Sequence, residues 1–304
     1  RLHEAAAALS EGGAIVDSGS ESPIGASQVE AWNNLLVRPH LTRNEIGLFI
    51  ESLADNVGFA EGNNRGLASR IGEGAEYYLV LNNDAYVEPW TITKMLDVAM
   101  ETGAEMIAPA VYKADDPAQV DRFGLTLTRS GAGYNRKHEF DGPLLCPSGC
   151  AALYHRDLVL DLIRDPEGFF DRRFEAYAED LDTGLRALAR GYRVAFAAGA
   201  TVLHEGGATF GPSSSRSYFL RHRNTMWSIA KNYSAGLLLH DSVYLGLGHL
   251  ASMVNAVRRR RFRAVIRGKF EGAKAWWAFR RPRAGAAKLS DPRLLDRRFW
   301  LSRL

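Results

Sequence analysis

The sequence predicts an α/β fold, a single mixed and mostly parallel sheet flanked by helices, and three observations carry that expectation. Short apolar runs of strand length recur at residues 14–16, 46–50, 77–81 and 106–111. Helical patterns with one apolar face stand between them, so crossovers and parallel strands are expected. Asp17 and Asn82 directly follow two of these runs, at the strand ends where ligands of such sheets sit. The 304 residues, 46% of them apolar, suffice to bury a sizeable core and exclude a disordered or fibrous chain.

Taken in order, residues 2–10 read as a helix closed by Gly12-Gly13, and Ala14-Ile15-Val16 as a buried strand stopping at the turn-rich Asp17-Ser18-Gly19-Ser20. A helix with Trp32, Leu35 and Leu36 follows, then a strand at 46–50, a loop at 55–62 and a short helix at 64–71. Tyr77-Tyr78-Leu79-Val80-Leu81 is the clearest strand, apolar throughout and so buried on both faces. Thr91–Thr102 is helical with Ile92, Met95, Leu96 and Ala99 on one face, and 106–111 is a strand. Residues 112–145 are loop-rich. A strand at 151–154, helices at 156–163 and 179–190, and strands at 192–196 and 201–203 complete this part, the last delivering His204.

Charge divides the chain. Residues 1–215 hold 18 Lys/Arg against 31 Asp/Glu, and residues 216–304 hold 20 against 4, inside a formal net charge of only +3. Two regions are therefore expected, 1–215 and a basic helical 216–304, the second suited to a polyanion or an anionic membrane surface. The two cysteines, Cys146 and Cys150, build neither a disulfide framework nor a zinc site and read as free buried thiols in a reducing compartment. No secretory leader is expected from Arg1-Leu2-His3-Glu4.

Asp17, the Asn82-Asn83-Asp84 turn, Glu179-Asp180 and His204 are the candidate functional groups. Each also has an ordinary reading: an Asx-turn for Asp17, a cap for Asp84, a dipole-favoured helix start for Glu179 and Asp180, a turn histidine for His204. Jointly they suggest one cleft with a carboxylate for a hard cation, Mg²⁺ or Mn²⁺, a second carboxylate for proton abstraction, and an imidazole. No glycine-rich phosphate loop occurs, so a diphosphate would be neutralised by metal. That absence also argues against a sugar-nucleotide pyrophosphorylase.

Seven blocks in order then resemble the family 2 inverting glycosyltransferases, nearest to a rhamnosyltransferase-like branch. They are Ile15-Val16-Asp17-Ser18-Gly19-Ser20, residues 56–66, Leu81-Asn82-Asn83-Asp84, Ser148-Gly149-Cys150, Phe169-Phe170-Asp171 with Arg173-Phe174, Ala178-Glu179-Asp180-Leu181-Asp182 with Arg186, and His204-Glu205-Gly206-Gly207. The resemblance implies a GT-A fold and transfer of a hexose, rhamnose among the candidates, from a nucleoside-diphosphate sugar to a glycan or lipid-linked glycan of the cell surface. By the same resemblance Asp17 contacts the pyrimidine, Gly62, Asn63 and Asn64 lie along the nucleotide, and Asn82 and Asp84 end the Asp-x-Asp motif. Asn82 replaces its first Asp. Asp84 and His204 hold the metal, and Asp180 is the catalytic base. The family's first apolar strand has no counterpart here, so an N-terminal truncation is expected; a catalytically defective, sugar-nucleotide-binding scaffold is the alternative.

Residues 235–257 are apolar but contain Asp241, which disfavours a spanning helix. Together with Arg258–Arg263 and the Trp-containing tail they suggest an interfacial element at the cytoplasmic membrane face, with no nucleic-acid module in evidence.

Overall fold

The computed structural model describes the backbone of β1 (Ile15–Asp17) and β2 (Leu48–Ile50), and residues 53–139, 141–206, 214–281 and 287–297. Contacts divide the chain into two compact units, Arg1–Val57 and Gly58–Leu304. In the first, β1 and β2 pair in parallel with Asp17 opposite Ile50, as the two apolar runs predict. The helices expected at 2–10 and around Trp32 lie outside the described residues.

The second unit is built on a sheet of order β3-β9-β5-β10-β4, with β6 added along β5. Its strands are β3 (Tyr77–Leu81), β4 (Ala85–Val87), β5 (Met106–Lys113), β6 (Val120–Arg122), β9 (Ala151–His155) and β10 (Val194–His204). Here the expectation of a mostly parallel sheet is corrected. β3, β5 and β10 share one direction, but β9 runs between β3 and β5 antiparallel to both, and only β5 and β10 are parallel neighbours within this sheet. Burial throughout Ala151-Ala152-Leu153-Tyr154 accounts for the central place of β9, whereas its direction is set by pairing with β3 and β5 and is not readable in a local pattern.

The two strands expected at 192–196 and 201–203 are one, β10, whose register on β5 shifts between Ala197 and Thr201. A bulge there keeps one strand running while bending it, and it delivers His204 opposite Ala85 of β4. Within the loop-rich segment stands a small hairpin, β7 (Leu125–Leu127) and β8 (Gly133–Asn135), besides β6.

Helix α1 (Gly58–Arg70) starts six residues earlier than its pattern suggests, from Gly58 at φ +79°. Its first turn is anchored by buried Ala60 and by Phe59, packed edge-on against Phe170 at 5.2 Å. α2 (Thr91–Thr102) buries Met95 and Ala99 against Ile107, Leu153, Ala197 and Ala200, the face its periodicity predicts. α3 (Arg156–Leu162) and α4 (Glu179–Ala189) follow. Gly184 of α4 is required: a Cβ there would overlap the Cys146 side chain, so the helix lies directly on residues 145–146. Cys146 and Cys150 are free and buried.

The basic region continues as α5 (Ser215–Asn232), α6 (Ala235–His240), α7 (Ser242–Arg258), α8 (Phe262–Lys274) and α9 (Trp276–Arg280). Ile229, Tyr233, Leu237, Leu289 and Leu295 share a core with Leu127, Leu145, Phe169 and Leu185. Asp241 separates α6 from α7; its buried carboxylate accepts a 2.6 Å hydrogen bond from Arg129 Nε. Among the described residues no helix is long and apolar enough to cross a membrane.

Candidate functional site

The turn Asn82-Asn83-Asp84 joins β3 to β4 and is fixed from both sides. Asn82 N donates to Cys150 O at 2.9 Å, Ala85 N to Asn82 O at 3.1 Å, and Glu205 N to Asp84 O at 3.0 Å. Because His204 pairs with Ala85 across β10 and β4, the register brings the two side chains together: His204 Nε2 lies 3.4 Å from Asp84 Oδ1. That oxygen is buried and has no hydrogen-bond partner. His204 Nδ1 is 2.8 Å from Asp121 Oδ2. The carboxylate on Nδ1 orients the ring so that Nε2 faces Asp84, the orientation usual for a metal-bound histidine. Burial would raise the Asp121 carboxyl, but the hydrogen bond from His204 and the charge of Arg122 outweigh it and hold it at about 2.

Arg122, next on β6, links this pair to a second cluster. Its Nε donates to Asp121 Oδ2 and its Nη1 to Ser148 Oγ, both at 3.0 Å. The neighbouring Gly149 N donates to Asp180 Oδ2 at 3.0 Å, and Leu181 N donates to Asp180 Oδ1 at 2.8 Å. Both oxygens of Asp180 are thus held at the first turn of α4. Burial pushes its carboxyl above the ordinary value, opposed by those two N–H groups and by the charge of Arg122.

Glu179 beside it has a buried Oε2 with no hydrogen-bond partner. Burial and then the charge of Asp180 push its carboxyl up to about 8. A carboxyl raised on folding binds a proton that the unfolded chain has released, so the native state loses stability as pH rises from about 4.5 toward 8. Glu179→Gln mimics the protonated form and escapes that loss. Its melting temperature is expected to exceed that of the natural chain by a few degrees near pH 8 and by much less near pH 5; a gap that does not grow with pH would show that Glu179 is ionised in the folded protein.

The approach to α4 is strained. Glu175, Tyr177 and Ala178 all have left-handed φ, at 65°, 68° and 70°, conformations that L-residues adopt only when surroundings impose them. Asn224 of α5 imposes them: its Nδ2 lies 2.8 Å from the carbonyl oxygens of Phe174, Ala176 and Tyr177, and Arg223 Nη1 pairs with Glu175 at 2.8 Å. The basic region therefore helps set where Asp180 stands.

Of the residues singled out from sequence, Asp84 and His204 meet directly, and Asp180 connects to them through Gly149, Ser148, Arg122 and Asp121. Gly62, expected in the loop at 55–62, stands with Asn63 and Asn64 on α1. Asn63 Nδ2 bonds Phe59 O at 2.9 Å, and the Asn64 amide makes two 2.8 Å bonds to the backbone of Phe170, so both amides brace the fold. Asp17 closes β1 in the first unit, and its side chain lies outside the described residues. Asp121 and Arg122 were not legible as site residues. Their only local signal is the three-residue strand Val120–Arg122 inside a segment that reads as loop.

Asp84 Oδ1 and His204 Nε2 fit a hard divalent cation, since one is an unpartnered buried acceptor and the other an oriented imidazole nitrogen. No group of three or more His, Cys, Asp or Glu side chains is arranged to hold a metal ion among the described residues, so further ligands would have to come from a bound diphosphate or water.

Residues 14–163 match the family described as Glycosyl transferase family 2. No curated protein matches the sequence. Among solved structures, GalNAc-T7 with UDP, GalNAc and Mn²⁺ is similar at 11% identity and a TM-score of 0.47, over 73% of this chain and 42% of that one. Staphylococcus aureus TarS is similar at 13% identity and a TM-score of 0.44, over 77% of this chain and 36% of that one. Its segment 1–349 gives 12% and 0.47, over 88% and 73%. The chain thus spans less than half the length of two of these proteins. Over residues 14–163 the chain carries the sequence pattern of glycosyl transferase family 2, and the described residues place a mixed α/β sheet flanked by helices beneath it.

Proposed function

We propose that the protein transfers a sugar, with rhamnose the first candidate, from a nucleoside-diphosphate donor to a glycan or lipid-linked glycan acceptor, with inversion at the anomeric carbon. The observation that carries this reading is the convergence at the strand ends: Asp84 and His204 face each other, and a half-buried Asp180 stands beyond Arg122 with both oxygens held. Asp180 takes the proton of the acceptor hydroxyl. That oxygen forms the new bond to the anomeric carbon while the bond from carbon to the diphosphate oxygen breaks, and the nucleoside diphosphate leaves with its electron pair.

The N–H groups of Gly149 and Leu181 aim the carboxylate, and Arg122 favours its ionised form. A Mg²⁺ or Mn²⁺ ion held by Asp84 and His204 would offset the charge developing on the departing diphosphate. By the family pattern Asp17 would contact the pyrimidine of the donor. The basic helices would hold this centre at the cytoplasmic face of the membrane, near a lipid-linked acceptor.

Release of nucleoside diphosphate from a panel of donor sugars, with a lipid-linked acceptor, tests the reading. Turnover with one donor is expected in Mg²⁺ or Mn²⁺ and loss of it in EDTA. Donor binding without turnover for every donor and acceptor would favour the sugar-nucleotide-binding scaffold, and turnover indifferent to EDTA would remove the metal from Asp84 and His204.

A further inference from the structure

We infer that the outward faces of α7 and α8 form a platform that seats the protein on an anionic lipid bilayer. On α7, Val243, Leu247, Leu250, Val254 and Val257 are 68%, 47%, 62%, 53% and 61% exposed. They alternate at spacings of four and three, which places them in one stripe along the helix. A run of large apolar side chains this long in water marks an interaction surface, because a monomer gains nothing by hydrating it.

The opposite face is committed inward. Gly248 lies so close to the Ser130 backbone that a Cβ would collide with it, and Ala256 is buried. α8 repeats the arrangement: Gly268 and Gly272 close on Phe219 and Met226 of α5, while Phe262, Ile266 and Phe270, four residues apart, are exposed. The two helices pack against each other.

Charge selects the occupant. Residues 242–281 hold ten Lys/Arg and a single acid, Glu271. Arg258, Arg259 and Arg260 are exposed at the turn between the helices, and Arg263, Arg267 and Lys274 are exposed along α8. The α7 stripe by itself would suit a second helix, but an isologous contact with another copy brings two surfaces of the same sign together. Anionic headgroups satisfy both features, taking the apolar side chains below the interface and the guanidinium groups at it. Exposed Trp277 on α9 suits the same boundary.

This platform deepens the reading of a lipid-linked acceptor and rests on it for its purpose, but its test needs neither donor nor acceptor. The full chain is expected to float with vesicles of phosphatidylglycerol and phosphatidylcholine, to bind phosphatidylcholine vesicles far less, and to come off as salt shortens the Debye length. Leu247→Glu, Leu250→Glu and Val254→Glu together place charges only at exposed positions. They should lower vesicle binding ~10-fold or more with the melting temperature unchanged.

Arg258→Ser, Arg259→Ser and Arg260→Ser should weaken binding to the anionic vesicles alone. Undiminished binding by both triple variants would overturn the proposal. So would a chain that ignores vesicles and instead forms a dimer that the α7 variant dissociates, or one that binds nucleic acid in their place. Loss of sugar transfer with vesicle binding intact would count against the enzymatic reading and leave the platform standing.

Discussion

Asp180→Asn is expected to lower turnover roughly 10²- to 10⁴-fold, the loss typical of a removed general base, with donor affinity nearly unchanged. The geometry separates this effect from simple unfolding. Both Asp180 oxygens accept backbone N–H groups, from Gly149 and from Leu181. An asparagine has one acceptor oxygen and would turn its own NH₂ toward one of those donors, leaving a buried N–H unsatisfied at about 1–3 kcal/mol. A fall in melting temperature is therefore part of the expectation.

Donor titration decides between the two origins, because a misfolded site loses affinity along with rate whereas a missing base loses rate alone. The pH profile of the natural chain gives a second reading. Burial raises the Asp180 carboxyl, so kcat/KM should decline on acidification at a pH above the usual aspartate range, when the base becomes protonated. A rate undiminished in D180N would take Asp180 out of the reaction, and an acid limb confined to the ordinary carboxylate range would contradict the burial that raises it.

What the sequence discloses and what it hides follow a physical division. β3 is legible because five apolar residues in a row need two covered faces, and α2 because Ile92, Met95, Leu96 and Ala99 fall on one helical stripe. The Asn82-Asn83-Asp84 turn and His204 are legible as strand ends, and their meeting follows once β4 and β10 pair. The direction of β9 is not, since pairing with β3 and β5 is a property of the sheet and leaves no mark in four apolar residues and a histidine. Asp121 and Arg122 escape for the same reason: a three-residue strand has no period, and their partners His204 and Ser148 lie far along the chain.

The basic region hides most. By composition Arg223 and Lys231 belong to a positive surface, yet both are buried and paired with carboxylates of the acidic region 1–215, Glu175 and Asp182. Part of the apparent surplus of positive charge is thus internal. Among the cations that face solvent, Arg258, Arg259, Arg260, Arg263 and Arg267 stand beside the apolar stripe of α7.

Lys231→Met should cause a large loss of stability. Lys231 is 3% exposed, and its Nζ lies 3.0 Å from Glu167, 2.8 Å from Asp171 and 2.6 Å from Asp182. Asp182 stands on α4 two residues after Asp180 and also accepts from Arg186 and Asn232. Methionine fills a similar volume but removes the cation that the three carboxylates share, leaving Asp171 only the cation of Arg173 and Asp182 only that of Arg186, and the cost of breaking a buried ion pair is about 3–5 kcal/mol. For a unit of this size each kcal/mol is worth roughly 2–4 °C, so the melting temperature should fall by about 10 °C.

Acid should narrow the gap between the two proteins. Burial would raise Asp171, but the hydrogen bond from Arg173 and the charge of Lys231 hold it well below its ordinary 3.8, so its stabilising contribution is complete above that value and disappears as pH falls through the depressed one. Below about pH 4 the natural chain therefore loses an advantage that the variant never fully had. Melting curves at neutral pH and near pH 3 test both halves. A difference that persists unchanged in acid would mean that Lys231 contributes by packing rather than by charge, and no difference at neutral pH would mean that the three carboxylates find other partners. Because the cluster joins α5 to α4, the same variant should also lose turnover more than it loses donor affinity: the helix that carries Asp180 is seated, through Asp182, on this lysine.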